Sequence, residues 1–216
     1  MSDGNALENQ CSKPKGWVGR VTLWRMNKSH SKLTDWGLGH ISVEKNWTIL
    51  DVGCGGGRTI AKLAAMATQG KICGIDYSEE SVAVTKKTNA SEVEAGRVEV
   101  RLGSVSQLPF ADGMFDLVTG VETHFWWPNL QEDMREVFRV TKPGGTVILI
   151  AEIYKGANTT VSRMAEKYAE RTKMKLLSVE EHRELCVNAG YGDVQVMEER
   201  RRGWICATGK KPKANS

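Results

Sequence analysis

The sequence predicts an α/β fold: a mainly parallel sheet of seven strands with helices on both faces and a C-terminal antiparallel hairpin. Three observations predict it. From residue 46 onward, short apolar strands alternate with helix-periodic segments five times, the rhythm of a parallel sheet. A glycine-rich turn, "DVGCGGG" (51–57), joins the first strand to its helix, where open sheets leave room for a ligand. Two strand-like segments near the end, "DVQVMEE" and "WICATGK", are separated only by "RRRG", so they pair antiparallel.

Residues 17–41 form an aromatic, helix-prone leader in which Leu23, Met26, His30 and Leu33 follow helical spacing, and Gly37 and Gly39 end it. "WTILDVG" is the first strand, and its helix carries Ile60, Leu63, Ala64 and Ala67 on one face. "KICGID" is the second strand. Ser78 is placed to cap the next helix, with Glu79 and Glu80 in its first turn. "RVEVRLG" and "FDLVTGV" are the third and fourth strands. Leu130, Met134, Val137 and Phe138 form the inner face of the following helix, "KPGG" stops it, and "TVILIAEI" is the fifth strand. An extra helix within 156–177 sets Val161, Met164, Ala165 and Tyr168 on one face. Ser178 and Glu181 then make a capping box for a helix that ends at Gly190.

A chain of 216 residues suits one domain with decorations. Residues 1–45 are expected to be a disordered tail followed by a helical cap or lid, and 46–216 the main domain, with 156–177 as an inserted helix suited to covering a substrate. No apolar run approaches the ~20 residues of a membrane span, and the polar N-terminus lacks a signal-peptide core. Five scattered cysteines without CxxC pairing favour reduced thiols in a cytoplasmic protein. The formal charge of +4 comes largely from the two ends, which is weak evidence for a nucleic-acid partner.

The glycine turn has two candidate ligand classes. A dinucleotide loop reads G-x-G-x-x-G, but Arg58 stands where the third glycine belongs. The pattern present is D-x-G-x-G-x-G, and a carboxylate at Asp51 would repel a pyrophosphate and welcome a cation. The second strand ends in Asp76, about 20 residues on, where a carboxylate accepts both hydroxyls of a ribose. A ribose joined to a positively charged group is S-adenosylmethionine.

These motifs resemble those of the class I S-adenosylmethionine-dependent methyltransferases, and within them the small-molecule branch that includes the ubiquinone and menaquinone biosynthesis C-methyltransferases. The resemblance runs over roughly 46–209 and rests on "ILDVGCGGG", "GIDYSEESV", "GSVSQLPFADGMFDLV" and "REVFRVTKPGGTVILI". It implies a Rossmann-like fold and methyl transfer by in-line displacement, with S-adenosylhomocysteine as product and no metal. Gly53 and Gly55 would bed the methionine end, with Asp51 shaping the turn. Asp76 would take the ribose and Tyr77 one adenine face. Ser104 stands where the family usually has an aspartate for the adenine amine. The backbone of Val105 would meet the ring edge, and Gly120 and Val121 would face the methionine carboxylate. Asp116 would order its loop.

Methyl transfer needs alignment and exclusion of water more than a fixed catalytic motif. "GVETHFWWPN" (120–129) leads out of the fourth strand. His124 is a candidate base or a histidine bonded within its loop, and Glu122 is a second candidate. Phe125, Trp126 and Trp127, with Trp24 from the leader, are candidate substrate walls or ordinary packing. His30 and Tyr154 complete the catalytic candidates. The four histidines show no metal-ligand spacing. Cys54, inside the turn, reads as structural. Two other functions compete: a nucleic-acid methyltransferase, which would place an N/D-P-P-Y/F clamp where "VETHFWWP" stands, and a nonenzymatic S-adenosylmethionine-binding module. The expected partner is a small molecule, with no specific nucleic acid, and the chain is expected to be a monomer or homodimer.

Overall fold

Burial of one stripe per helix against strands buried on both faces produces one seven-stranded sheet, in the order β3-β2-β1-β4-β5-β7-β6. A computed structural model describes residues 30–213. The strands are β1 (Thr48–Val52), β2 (Lys71–Asp76), β3 (Val98–Leu102), β4 (Phe115–Val121), β5 (Thr141–Ala151), β6 (Gly192–Glu199) and β7 (Trp204–Lys210). The first five are parallel, and β7 runs antiparallel to both β5 and β6. The chain order reverses at β1, which pairs with β2 on one side and β4 on the other. That reversal opens a crevice beyond the strands' carboxyl ends.

The helices are α1 (Ser31–Leu38), α2 (Arg58–Met66), α3 (Glu79–Thr88), α4 (Ala90–Glu94), α5 (Leu130–Val140), α6 (Thr160–Ala169) and α7 (Val179–Ala189). Leu130, Met134, Val137 and Val140 of α5 share a core cluster with Leu185, Cys186 and Ala189 of α7. On the opposite face, Leu33 and Leu38 of α1 cluster with Ile60, Leu63 and Ala64 of α2. The capping signals operate as their chemistry requires. Ser78 Oγ accepts from the Ser81 N–H at 3.4 Å. In the capping box, Ser178 Oγ accepts from the Glu181 N–H at 3.2 Å and Glu181 Oε2 from the Ser178 N–H at 2.7 Å.

Three local expectations change. "KPGG" does not precede β5 but lies inside it: the pairing jumps from Phe115–Thr141 to Leu117–Thr146. Pro143 has no N–H for the ladder and Gly144 sits at φ 81°, so the extra residues bulge out. In α6 the four-residue apolar face is split, with Val161 and Met164 exposed while Ala165 and Tyr168 pack inward. Finally, the helical cap does not stand off the sheet: α1 packs into the core through Leu33 and Leu38. Gly37 lies so close to β5 that an added Cβ would sit 2.6 Å from Cγ1 and 2.9 Å from Cγ2 of Ile150. The leader's Trp17, Leu23, Trp24 and Met26 lie outside the described residues.

Candidate functional site

The crevice holds a cavity of ≈430 Å³ over the ends of β1, β2 and β4 and the turn after β3, within the usual range of small-molecule sites, about 300–1,000 Å³. One end is built from the glycine turn. Gly53 takes φ 75°, and a Cβ there would lie 2.5 Å from Cγ2 of Thr123, so the turn and the β4 exit meet only because that side chain is missing. The N–H groups of Gly53 and Cys54 donate to Ile75 O at 2.8 and 3.1 Å. Thr85 Oγ1 donates to Gly55 O at 2.8 Å, which ties the turn to α3.

Asp76 closes this end. Its Oδ2 accepts from the Gly55 N–H and its Oδ1 from the Ser78 N–H, both at 2.9 Å. Burial raises its pKa and those backbone bonds oppose the rise. The carboxylate is thereby fixed in direction with further lone pairs for a ligand. Gly53, Gly55, Tyr77, Ser104, Val105 and Val121 line the same cavity. Ser104 Oγ accepts from the Ser106 N–H at 3.2 Å, leaving a proton and a second lone pair.

Asp51 and Gly120 require correction, because neither lines the cavity. Asp51 is 2 % exposed and accepts a hydrogen bond from Thr119 Oγ1 at 2.6 Å. Burial pushes its pKa to about 7. Its side chain points into the sheet, so it ties β1 to β4 behind the wall. Gly120 stands behind Trp127, where a Cβ would be 3.5 Å from Cζ2 of that indole. Cys54 lines the turn as a buried thiol whose pKa burial drives upward.

The other end of the cavity is walled by His30, Thr34, Glu122, Thr123, Trp126 and Trp127. Glu122 follows β4 directly and takes φ 58°, a left-handed conformation that strains a residue with a Cβ. Its Oε1 accepts from the Glu152 N–H. Burial lifts its pKa to about 7, with His30 opposing and the Glu152 charge adding. His30 Nε2 lies 3.4 Å from Glu152 Oε1. Burial works against the imidazolium, but the Glu152 bond and the two carboxylate charges outweigh it and raise the His30 pKa. The partnership lowers that of Glu152. Ligand atoms of His30, Glu122 and Glu152 all lie within 4.8 Å of one another, so this trio could also hold a cation.

Three other candidates face away from the cavity. His124 is 1 % exposed, because the 3₁₀ turn His124–Trp126 directs its ring into the protein. There its Nε2 lies 3.0 Å from Nε2 of His182. His182 Nδ1 lies 2.7 Å from Ser178 O and so carries the proton, which assigns the other bridging proton to His124. His124 Nδ1 is then a buried acceptor without a partner among the described residues. Burial, reinforced by the neighbouring imidazole, holds the His124 pKa well down, and the residue does not line the cavity. Tyr154 donates its hydroxyl to Glu198 Oε1 at 2.7 Å. Phe125 packs with Tyr154, Ala151 and Ile205. Trp126 stands between cavity and helix, its ring 6.4 Å from that of Tyr168 in α6.

Glu152 was not among the sequence candidates. A carboxylate at the carboxyl end of an apolar strand, "VILIAE", is the same signal that singled out Asp76, and it could have found this residue. Arg58, the cavity's one Lys or Arg among the described residues, stands at the start of α2 beside the glycine turn.

Residues 50–149 match the family model described as a methyltransferase domain. The O-methyltransferase cnsE of Penicillium expansum is 28% identical over 152 residues, covering 70% of this chain and 54% of that protein. The demethylmenaquinone methyltransferase of Bacillus cereus strain B4264 is 36% identical over 114 residues, covering 51% of this chain and 46% of its own. The chain thus spans about half the length of the curated relatives it matches. Among solved structures, the complex between the Haloferax volcanii Trm112 methyltransferase activator and a methyltransferase aligns with a TM-score of 0.78 at 21% identity, over 91% of this chain and 96% of that one.

Proposed function

Since residues 50–149 match the methyltransferase-domain family model, we propose that the chain transfers a methyl group from S-adenosylmethionine to a small-molecule acceptor. One observation carries the reading: a single cavity joins the Asp76 carboxylate and glycine turn at one end to Glu122, His30 and two indoles at the other. The donor set fits the cofactor, since Asp76 has lone pairs for ribose hydroxyls and Ser104 and Val105 offer a polar atom and backbone at the adenine position. When bound, S-adenosylmethionine supplies a methyl group already activated on a sulfonium. The chain's residues then have three tasks. Gly53, Gly55, Asp76 and Tyr77 bind and orient the donor. Trp126, Trp127 and Thr34 exclude water from the acceptor. Glu122 or His30 holds the acceptor's proton at a carboxylate oxygen or ring nitrogen: burial lifts the Glu122 pKa to about 7, and the Glu152 bond with the nearby carboxylate charges raises that of His30. The buried free thiols of Cys54, Cys73, Cys186 and Cys206 support a reducing compartment such as the cytoplasm.

Calorimetry tests the reading at its base. S-adenosylmethionine and S-adenosylhomocysteine should bind at micromolar concentration or below, and NAD should not. Metabolite profiling with isotopically labelled donor should then give labelled products only with active protein. Failure of both donor and product to bind sinks the assignment.

A further inference from the structure

The acceptor end of the cavity has an unusual charge balance. Two carboxylates, Glu122 and Glu152, converge on one imidazole, His30. Fully ionised, two negative groups and one positive group leave this end with one net negative charge. The cavity's one Lys or Arg among the described residues is Arg58, at the start of α2 beside the glycine turn. Among the described residues no Lys or Arg stands at that end to neutralise an anionic acceptor. Glu122 uses Oε1 to accept from the Glu152 N–H. Its Oε2 has no hydrogen-bond partner among the described residues, on a side chain that lines the cavity. The strained backbone of Glu122 holds the group in this place, at φ 58°. Trp126 and Trp127 line the same cavity, and tryptophan is the side chain that binds a cation best through its ring face. Two partly buried carboxylates close together repel each other, and a positive ligand relieves that repulsion.

Resting on the methyl-transfer reading, we infer that the acceptor is a cationic amine, held as its ammonium ion by Glu122 against Trp126 and Trp127, with Glu152 fixing His30 beside it. The chemistry balances. One N–H proton of the ammonium passes to Oε2 of Glu122, leaving a lone pair on nitrogen. That pair forms the N–CH₃ bond as the S–CH₃ bond breaks, and the electrons of the broken bond stay on sulfur. The methylated nitrogen is again cationic, and the proton on Glu122 leaves through the cavity mouth. Glu152 is a positioning residue: it touches His30 and not the acceptor.

The test uses full-length protein saturated with S-adenosylhomocysteine and calorimetric titration with matched probes: phenethylammonium chloride, 2-phenylethanol, sodium 3-phenylpropionate, and manganese chloride alone. The ammonium probe should bind at least ~10-fold more tightly than the alcohol, and the carboxylate not at all. Glu122→Gln should abolish that preference while keeping affinity for S-adenosylhomocysteine, which shows that the variant is folded. Glu152→Gln should weaken ammonium binding less and shift the pH at which it is lost. Equal or tighter binding of alcohol or carboxylate overturns the inference, as does a preference that survives Glu122→Gln. Manganese binding that excludes the ammonium probe assigns the trio to a metal instead. No ammonium binding by protein that still takes S-adenosylhomocysteine also overturns it and leaves the methyl-transfer reading standing. Loss of S-adenosylhomocysteine binding itself is the separate failure of that reading.

Discussion

Asp51 and Asp76 end neighbouring parallel strands, yet burial gives them different work. Asp76 keeps its edge on the cavity and accepts two turn N–H groups at 2.9 Å. Asp76→Ala should weaken S-adenosylhomocysteine binding at least ~10-fold, since charge-assisted bonds contribute roughly 1.5–3 kcal/mol each. It also strands two backbone donors, so unfolding of the ligand-free protein should come about 1–3 kcal/mol earlier. Calorimetry and urea unfolding check both parts, and unchanged affinity would put the ribose elsewhere. Asp51 is fully inside, with its pKa pushed to about 7 by burial. A folded-state value above the unfolded one, about 3.9, means the folded chain binds the extra proton. Its contribution is complete below about pH 4 and is lost as pH rises through about 7. His124 and His182 act with the opposite sign, since burial depresses both and protonation below about pH 6.5 opposes folding. Comparison with Asp51→Asn isolates the carboxyl. Between pH 5 and 7.5, set roughly by these values, the wild type should lose at least about 1 kcal/mol relative to the variant. Parallel pH profiles would show that Asp51 does not titrate there.

At the scale of the element, α1 matters most, because it carries His30 at its N-terminal cap. Leu33, Thr34, Gly37 and Leu38 are buried against the sheet. A leader that closes only over bound ligand would leave these amides open in the empty protein. The packing leads to the opposite expectation: hydrogen exchange should find Thr34 and Leu38 protected without ligand. Gly37→Ala drives a methyl group into the Ile150 side chain. Overpacking of this kind costs about 1–3 kcal/mol, and α1 must shift to relieve it. Ammonium-probe binding should therefore fall more than S-adenosylhomocysteine binding, which depends on the turn after β1. If stability and both affinities are unchanged, α1 is not the element that positions His30.

For the whole molecule, the sheet order decides where a ligand can be felt. Two chain halves meet at the reversal between β1 and β4, and the cavity draws its walls from both. Ligand binding is then linked to global folding. S-adenosylhomocysteine at 100 times its dissociation constant stabilises by about 2.7 kcal/mol, which raises Tm by roughly 5–11 °C for a chain of this size. Thermal unfolding with and without ligand measures it, NAD serving as the control that should produce no shift.

The sequence by itself determined the parts that depend on neighbours a few residues apart. Strand–helix alternation, the capping box of Ser178 and Glu181, and the turn from Asp51 to Gly57 are all local, because backbone geometry repeats over two to four residues. The terminal hairpin was legible for the same reason, since a short "RRRG" connection permits only antiparallel pairing. The place of Asp76 on the cavity could be read because it stands at a strand's carboxyl end. Only the tertiary structure decided which side chains meet. It turned His124 inward onto His182 and buried Asp51 behind the wall. It also brought Glu152, from the end of β5, to His30 at the start of α1. Those encounters depend on sheet order and on the direction a side chain leaves its backbone. Neither quantity is carried by composition or spacing, so the glycine turn was written in the chain and the far end of the cavity was assembled by the fold.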